Sequence, residues 1–249
     1  ILTSSVASIW MDSTIEDTVR YIDESNWTDL NDDNIDAYTK GKALKEKAAW
    51  DFVDRNQSIK LTTILPSVVM GPGIGKPVRR GSMELFMMLT NKEMPVAPPL
   101  KMGVVDVRDV AKMHIAALEN DESIGKRVIL AEDTYWMKDF CKMLNELGHN
   151  APTFSPPVFF VKFMANFDKT IRPVKPLLGV DIRFNTEIAK NILDNVDGFV
   201  ARFKNETSKL GDKLDLYSAY VYHFAILISL AVNNFYQSNE IFILMLLMK

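Results

Sequence analysis

Residues Ala37–Phe52 read AYTKGKALKEKAAWDF. The spacing predicts a helix. Leu44, Ala48, Ala49 and Phe52 recur at helical intervals, while Lys45, Glu46 and Lys47 fall on other sides. Near its start Tyr38 and Lys42 stand four residues apart, a little over one turn, so both side chains leave one face. An ammonium beside a phenol favours the phenolate. A tyrosine tuned in that way can exchange a proton with a substrate oxygen near pH 7. Of seven tyrosines only Tyr38 has a lysine four residues on. With lysine this common, one such match has roughly even odds of arising by accident. The plain alternative is an exposed Tyr–Lys pair on a helix, and the neighbouring stretches must decide.

Composition narrows the choice. The chain has 249 residues, 47% of them hydrophobic, enough for one large domain or a domain plus a small lobe. Net charge is −3 and no basic block is present, which argues against a nucleic-acid partner. Cys141 is the one cysteine, so an intrachain disulfide and a cysteine-based zinc site are excluded. A reducing, cytoplasmic setting is the natural expectation. His114, His149 and His223 are far apart and form no metal-spaced pair; each reads as structural or surface, and no metal is expected. The opening ILTSSVASI reads as the end of a buried strand, not as a protein's beginning, so the expectation is a chain truncated at its N-terminus.

On the N-terminal side of the helix, Ile1–Ile9 predicts a strand running out into Thr3, Ser4 and Ser5. Hydroxyls at the C-terminal end of a parallel strand sit where open α/β sheets bind ligands, although serines favour strand ends in any case. Trp10–Ala37 is polar and acidic and reads as loop, with Asp36 placed to cap the helix. On the C-terminal side, Ser58–Val69 (SIKLTTILPSVV) predicts the next parallel strand, its regular part ending at Pro66. Gly71, Gly73 and Gly75 fit neither dinucleotide-loop nor phosphate-loop spacing. Further on come helices over Ser82–Thr90 and Met137–Leu147, and strands over Gly103–Val107 and Arg127–Ala131. Between those strands lies a helix presenting Val107, Val110, Ala111, His114 and Leu118 on one face. Helical stretches over Val158–Phe167 and Asn185–Leu193 complete the series.

Strand, loop, helix, strand, with polar groups at successive strand ends, is half of a doubly wound α/β domain. The crossover brings Ser5, Tyr38, Lys42 and Pro66 to one sheet edge. At this point LTSSVAS, DESNWTDLNDDNIDAYTKGKALKEKAAWDF, ILPSVVMGP and GVVDVRDVAKMHIAAL together resemble the extended short-chain dehydrogenase/reductases. Within these the resemblance is to the NAD-dependent epimerase/dehydratase-type proteins that are like dihydroflavonol 4-reductase and the aldehyde and ketone reductases. It runs from Ile1 to about Leu193. It implies the C-terminal part of an NAD(P)-binding Rossmann-type domain with a small substrate lobe. Ser5 then matches the serine that hydrogen-bonds the substrate oxygen, Tyr38 the general acid/base, and Lys42 the lysine that holds the nicotinamide ribose and favours the tyrosinate. Pro66, Ser67 and Val69 match the stretch bordering the nicotinamide, and Thr3 and Ser4 lie near the cofactor, NADP or NAD. Gly41 stands where the family often has serine.

The resemblance also implies a partition. Residues 1–130 form a partial Rossmann domain, with 70–102 contributing to the lobe. Residues 131–195 form the lobe and closing helix, and 196–249 a divergent apolar tail. The Gly-rich dinucleotide loop would precede Ile1, so weak activity or none is expected of this chain. The implied function is NAD(P)-dependent oxidoreduction of a small-molecule carbonyl or alcohol. Its rivals are a sugar-nucleotide epimerase/dehydratase and a non-catalytic remnant. In the tail, YVYHFAILISLAV and IFILMLLM are each shorter than the ~20 residues a membrane-spanning helix needs. They leave a packed hairpin, a membrane-surface anchor or an aberrant end as readings.

Overall fold

The computed structural model describes residues 1–11, 17–32, 35–73, 78–168 and 171–194. The chain divides into Ile1–Val196 and Asp197–Lys249, and the described residues all belong to the first unit. The readings made for the apolar tail and for Gly75 fall outside the described residues.

The body is a parallel sheet of β1 (Leu2–Thr3), β3 (Thr63–Pro66) and β6 (Arg127–Leu130), in that order. Leu2 pairs with Thr63 and Thr3 with Ile64, and Thr63 pairs in turn with Arg127. Helix α1 (Ala37–Arg55) connects β1 to β3. A second sheet joins β4 (Val68–Met70) to β5 (Lys101–Asp106) in parallel, and β5 to β7 (Asp133–Trp136) antiparallel. A two-stranded parallel pair is made by β2 (Val19–Ile22) and β8 (Asp181–Phe184). Four more helices are α2 (Ser82–Thr90), α3 (Val107–Glu119), α4 (Met137–Glu146) and α5 (Val158–Met164). Residues 187–194 are also helical, and the Asn185 side chain accepts a hydrogen bond from the Glu187 amide at their start. Among the described residues no helix is long and apolar enough to cross a membrane.

The body sheet has two unlike faces, because side chains alternate along a strand. One face presents Ile64, Val128 and Leu130. With Met113, Ala116 and Ala117 of α3 and with Ala189 and Ile192 they form a dry cluster. The other face presents Thr63 and Arg127, beside Ser4, toward α1, and beyond them Leu65 and Ile129 in a second apolar cluster. The polar part of this face explains the largest departure from expectation. Helix α1 buries Thr39, Ala43 and Glu46, while Leu44 and Phe52 stay 55% and 52% exposed. A polar sheet face needs a polar helix face, so the helix is turned about its axis relative to the hydrophobic reading.

Three smaller differences have local causes. The expected strand Ile1–Ile9 is cut to Leu2–Thr3, because Ser5 caps a 3₁₀ turn over Val6–Ser8. The expected loop Trp10–Ala37 contains β2, which finds its partner β8 about 160 residues later in the chain. Helix α3 is rotated from its expected face: Leu118 is 74% exposed, and the small Ala116 and Ala117 face the sheet instead, which lets helix and sheet approach closely.

Candidate active site

In a parallel sheet the C-terminal strand ends lie along one edge, where ligands bind in open α/β folds. Here that edge carries Ser4 and Ser5 after β1, Ser67 after β3, and Ala131 after β6. A helix returning from this edge to the start of β3 must begin at the edge, which puts Tyr38 and Lys42 there. Asp36 fixes that beginning. Its side chain accepts from the Thr39 amide at 3.0 Å and from the Thr39 hydroxyl at 2.7 Å.

Ser5 is a partly buried residue in extended backbone, φ −169° and ψ 153°. Its Oγ accepts from the Ala7 amide at 3.2 Å. That bond uses a lone pair and leaves the hydroxyl proton to give away. The one proton of the Ser8 hydroxyl is shared between two acceptors, the Ser5 carbonyl oxygen at 2.7 Å and a Glu46 carboxylate oxygen at 2.6 Å. Tyr38 is 64% exposed, and Lys42 Nζ lies 5.5 Å from the centroid of its ring. The structure thus brings Tyr38 and Lys42 together as a cation–π pair.

Beneath this edge lies a residue the sequence reading placed on an outer side. Glu46 is fully buried. Its Oε2 accepts from the hydroxyls of Ser4 and Ser8, each at 2.6 Å. Its Oε1 accepts from Arg127 Nε at 2.7 Å, Thr63 Oγ1 at 3.0 Å and Trp50 Nε1 at 3.5 Å. Burial pushes its pKa up, but the bonds from Arg127, Ser4 and Ser8 outweigh burial and hold it below the ordinary value. Arg127 is itself braced. Its guanidinium carbon sits 3.7 Å from the Trp27 ring centroid, and Nη1 donates to the carbonyls of Glu24 and Asn26, each at 2.7 Å. The stretch DESNWTD is therefore a socket for Arg127. One signal was available: Glu46 follows Lys42 and Tyr38 at four and eight residues, so it shares their strip of the helix.

The remaining candidates are spread along the same edge. Thr3 Oγ1 lies 2.8 Å from His114 Nε2, and His114 Nδ1 lies 2.8 Å from the Val110 carbonyl oxygen. A carbonyl only accepts, so Nδ1 carries the proton, and in the neutral ring Nε2 accepts from Thr3. Pro66 closes β3 and Val69 lies in β4. Between them the Ser67 amide donates to the Leu130 carbonyl at 2.9 Å. The Ser67 Oγ is buried and has no partner among the described residues. A buried unpaired hydroxyl at a sheet edge fits a place where the amide of a bound nicotinamide would pair. Among the described residues no group of His, Cys, Asp and Glu is arranged to hold a metal ion.

Comparison with known proteins gives a consistent set. No protein-family profile matches the chain. It is 34% identical over 173 residues to the NADPH-dependent methylglyoxal reductase GRE2 of Saccharomyces cerevisiae, a match covering 63% of this chain and 51% of that protein. It is 30% identical over 154 residues to cinnamoyl-CoA reductase 1 of Arabidopsis thaliana, covering 61% and 44%. The crystal structure of yeast methylglyoxal/isovaleraldehyde reductase Gre2 complexed with NADPH superposes with a TM-score of 0.56 at 27% identity, over 78% of this chain and 57% of that one. The fold is thus that of Rossmann-type reductases, and the chain spans about half the length of the curated relatives it matches.

Proposed function

We propose that this chain, whose homologues are extended short-chain dehydrogenase/reductase-type reductases, carries the proton-transfer half of an NADPH-dependent reductase of small aldehydes or ketones. The observation that carries the reading is the Tyr38–Lys42 pair, with Nζ 5.5 Å from the ring centroid, on the first turns of a helix tied to the serine turn. In the reduction direction the Tyr38 hydroxyl gives its proton to the substrate oxygen. Ser5, whose hydroxyl proton is uncommitted within the turn, donates to the same oxygen and favours the charge that develops there. Lys42 supports the tyrosinate that remains. A bound nicotinamide supplies the hydride. Thr3, Ser4, Pro66, Ser67 and Val69 border its place, with NADPH preferred because the similar yeast reductase is named NADPH-dependent. The relatives reported above are reductases, which favours this reading over a sugar-nucleotide epimerase/dehydratase. We further assign the protein to a reducing, cytoplasmic compartment, the setting that low cysteine usage suits.

The test is NADPH oxidation in the presence of a small aldehyde. Tyr38→Phe is expected to lower kcat by a factor of ~100 to ~10,000, the usual worth of a positioned proton donor. The melting temperature should be unchanged, because the side chain is 64% exposed. An unaltered rate in Tyr38→Phe would overturn the assignment.

A further inference from the structure

We propose that Glu46 is the positioning residue of this site: one carboxylate sets the serine turn against the helix that carries Tyr38 and Lys42. The proposal rests on the reductase reading.

The division of labour between its two oxygens is the argument. Ser4 and Ser8 flank Ser5 in sequence, and both reach Oε2 at 2.6 Å. Oε1 is given to the sheet, through Arg127 at 2.7 Å and Thr63 at 3.0 Å. Ser5 therefore sits between two residues held by the same atom. That atom belongs to α1, two turns beyond Tyr38 and one beyond Lys42. No water competes, since Glu46 has no exposed surface. Charge-assisted bonds are short and directional, so they define both the rotation of α1 and its height above the sheet. An apolar contact of the same size would be as stabilising or more so, but it would tolerate sliding. Misplacing a reacting group by about 1 Å can cost on the order of 100-fold in rate. A carboxylate at this point ties the turn that carries Ser5 to the helix that carries Tyr38.

The test separates positioning from mere support by cutting one tether on each oxygen. Ser8→Ala cuts a tether to the serine turn, and Thr63→Val cuts a tether to the sheet. Two properties are read in the full chain: hydrogen exchange at the Ala7 and Ser8 amides, and kcat and KM for NADPH-dependent aldehyde reduction. Ser8→Ala is expected to speed exchange at these amides by ~10-fold or more, as a locally loosened turn does. It should lower kcat by ~10-fold or more with KM unchanged. Thr63→Val should lower the melting temperature and leave both amides as they are, with a smaller fall in kcat than Ser8→Ala causes. Because the Ser8 hydroxyl also neighbours the Ser5 carbonyl, Ser8→Ala is repeated in a Glu46→Gln background. Its effect on exchange should shrink there, as coupled residues require. Equal kcat losses in Ser8→Ala and Thr63→Val would overturn the proposal. So would unchanged exchange in Ser8→Ala, or an undiminished effect in the Glu46→Gln background. Turnover that is unaltered by Tyr38→Phe would instead sink the reductase reading, and the exchange results would still decide whether Glu46 holds the turn.

Discussion

Glu46 is ionised inside the fold because five donors from four chain segments converge on it. Removing one member of such a buried pair leaves the other charged and unpaired. Arg127→Met is therefore expected to cost on the order of 3–5 kcal/mol in chemical denaturation. The pH dependence has a definite sign. The folded-state pKa of Glu46 is depressed below its ordinary 4.5. Its contribution is present above that value and is lost as pH falls through the folded pKa. Acid unfolding that begins below about pH 4.5 and is blunted in Glu46→Gln is the expected result. In AYTKGKALKEKAAWDF alone, only the strip that Glu46 shares with Tyr38 and Lys42 pointed to it. A glutamate among lysines reads as solvated, and the arginine that draws it inward lies 81 residues away.

Capping is the most local interaction in a helix, and it was legible. Asp36 caps α1 as its position suggests. Asp106 likewise caps α3 by accepting from the Arg108 amide at 2.7 Å. The Arg108 side chain, and then its amide, lower the Asp106 pKa to about 2. The cap's contribution to stability is therefore full above pH 3.8 and lost as pH falls through about 2. Fraying of α3, read from amide exchange, should appear only at the acid end of that window. Helix faces were not legible, since a face depends on what the opposite layer presents. Leu44→Ala makes the point measurable: the side chain is 55% exposed, so the change should stay within about 0.5 kcal/mol. The strand β5 gives the opposite case. A Cβ added at Gly103 would stand 2.8 Å from Phe184 Cε2 and 3.0 Å from Ser67 Cβ. Gly103→Ala should therefore cost roughly 1–3 kcal/mol by overpacking.

Across the whole molecule, the order of strands and helices carried the sheet, because a parallel pair must be bridged by a crossover. The β2–β8 pair escaped because nothing near Val19–Ile22 announces a partner, and Arg20, buried to 6% exposure, breaks the apolar alternation. That pair closes the unit: Ile22, Leu177 and Ile182 pack in one cluster with Val6, Leu65 and Ile129. Ile182 has no exposed surface. Ile182→Ala should destabilise by roughly 2–5 kcal/mol. The loss should appear in one cooperative transition rather than as a separate loosening of the lobe.

The unlike faces of the body sheet also imply unlike responses to temperature. The seam with α3 is apolar, and the drive behind it fades on cooling. The seam with α1 is held by a carboxylate, a guanidinium and hydroxyls, and the cost of keeping charges out of water falls on heating. The helix that carries Tyr38 keeps its grip toward the upper end of the folded range.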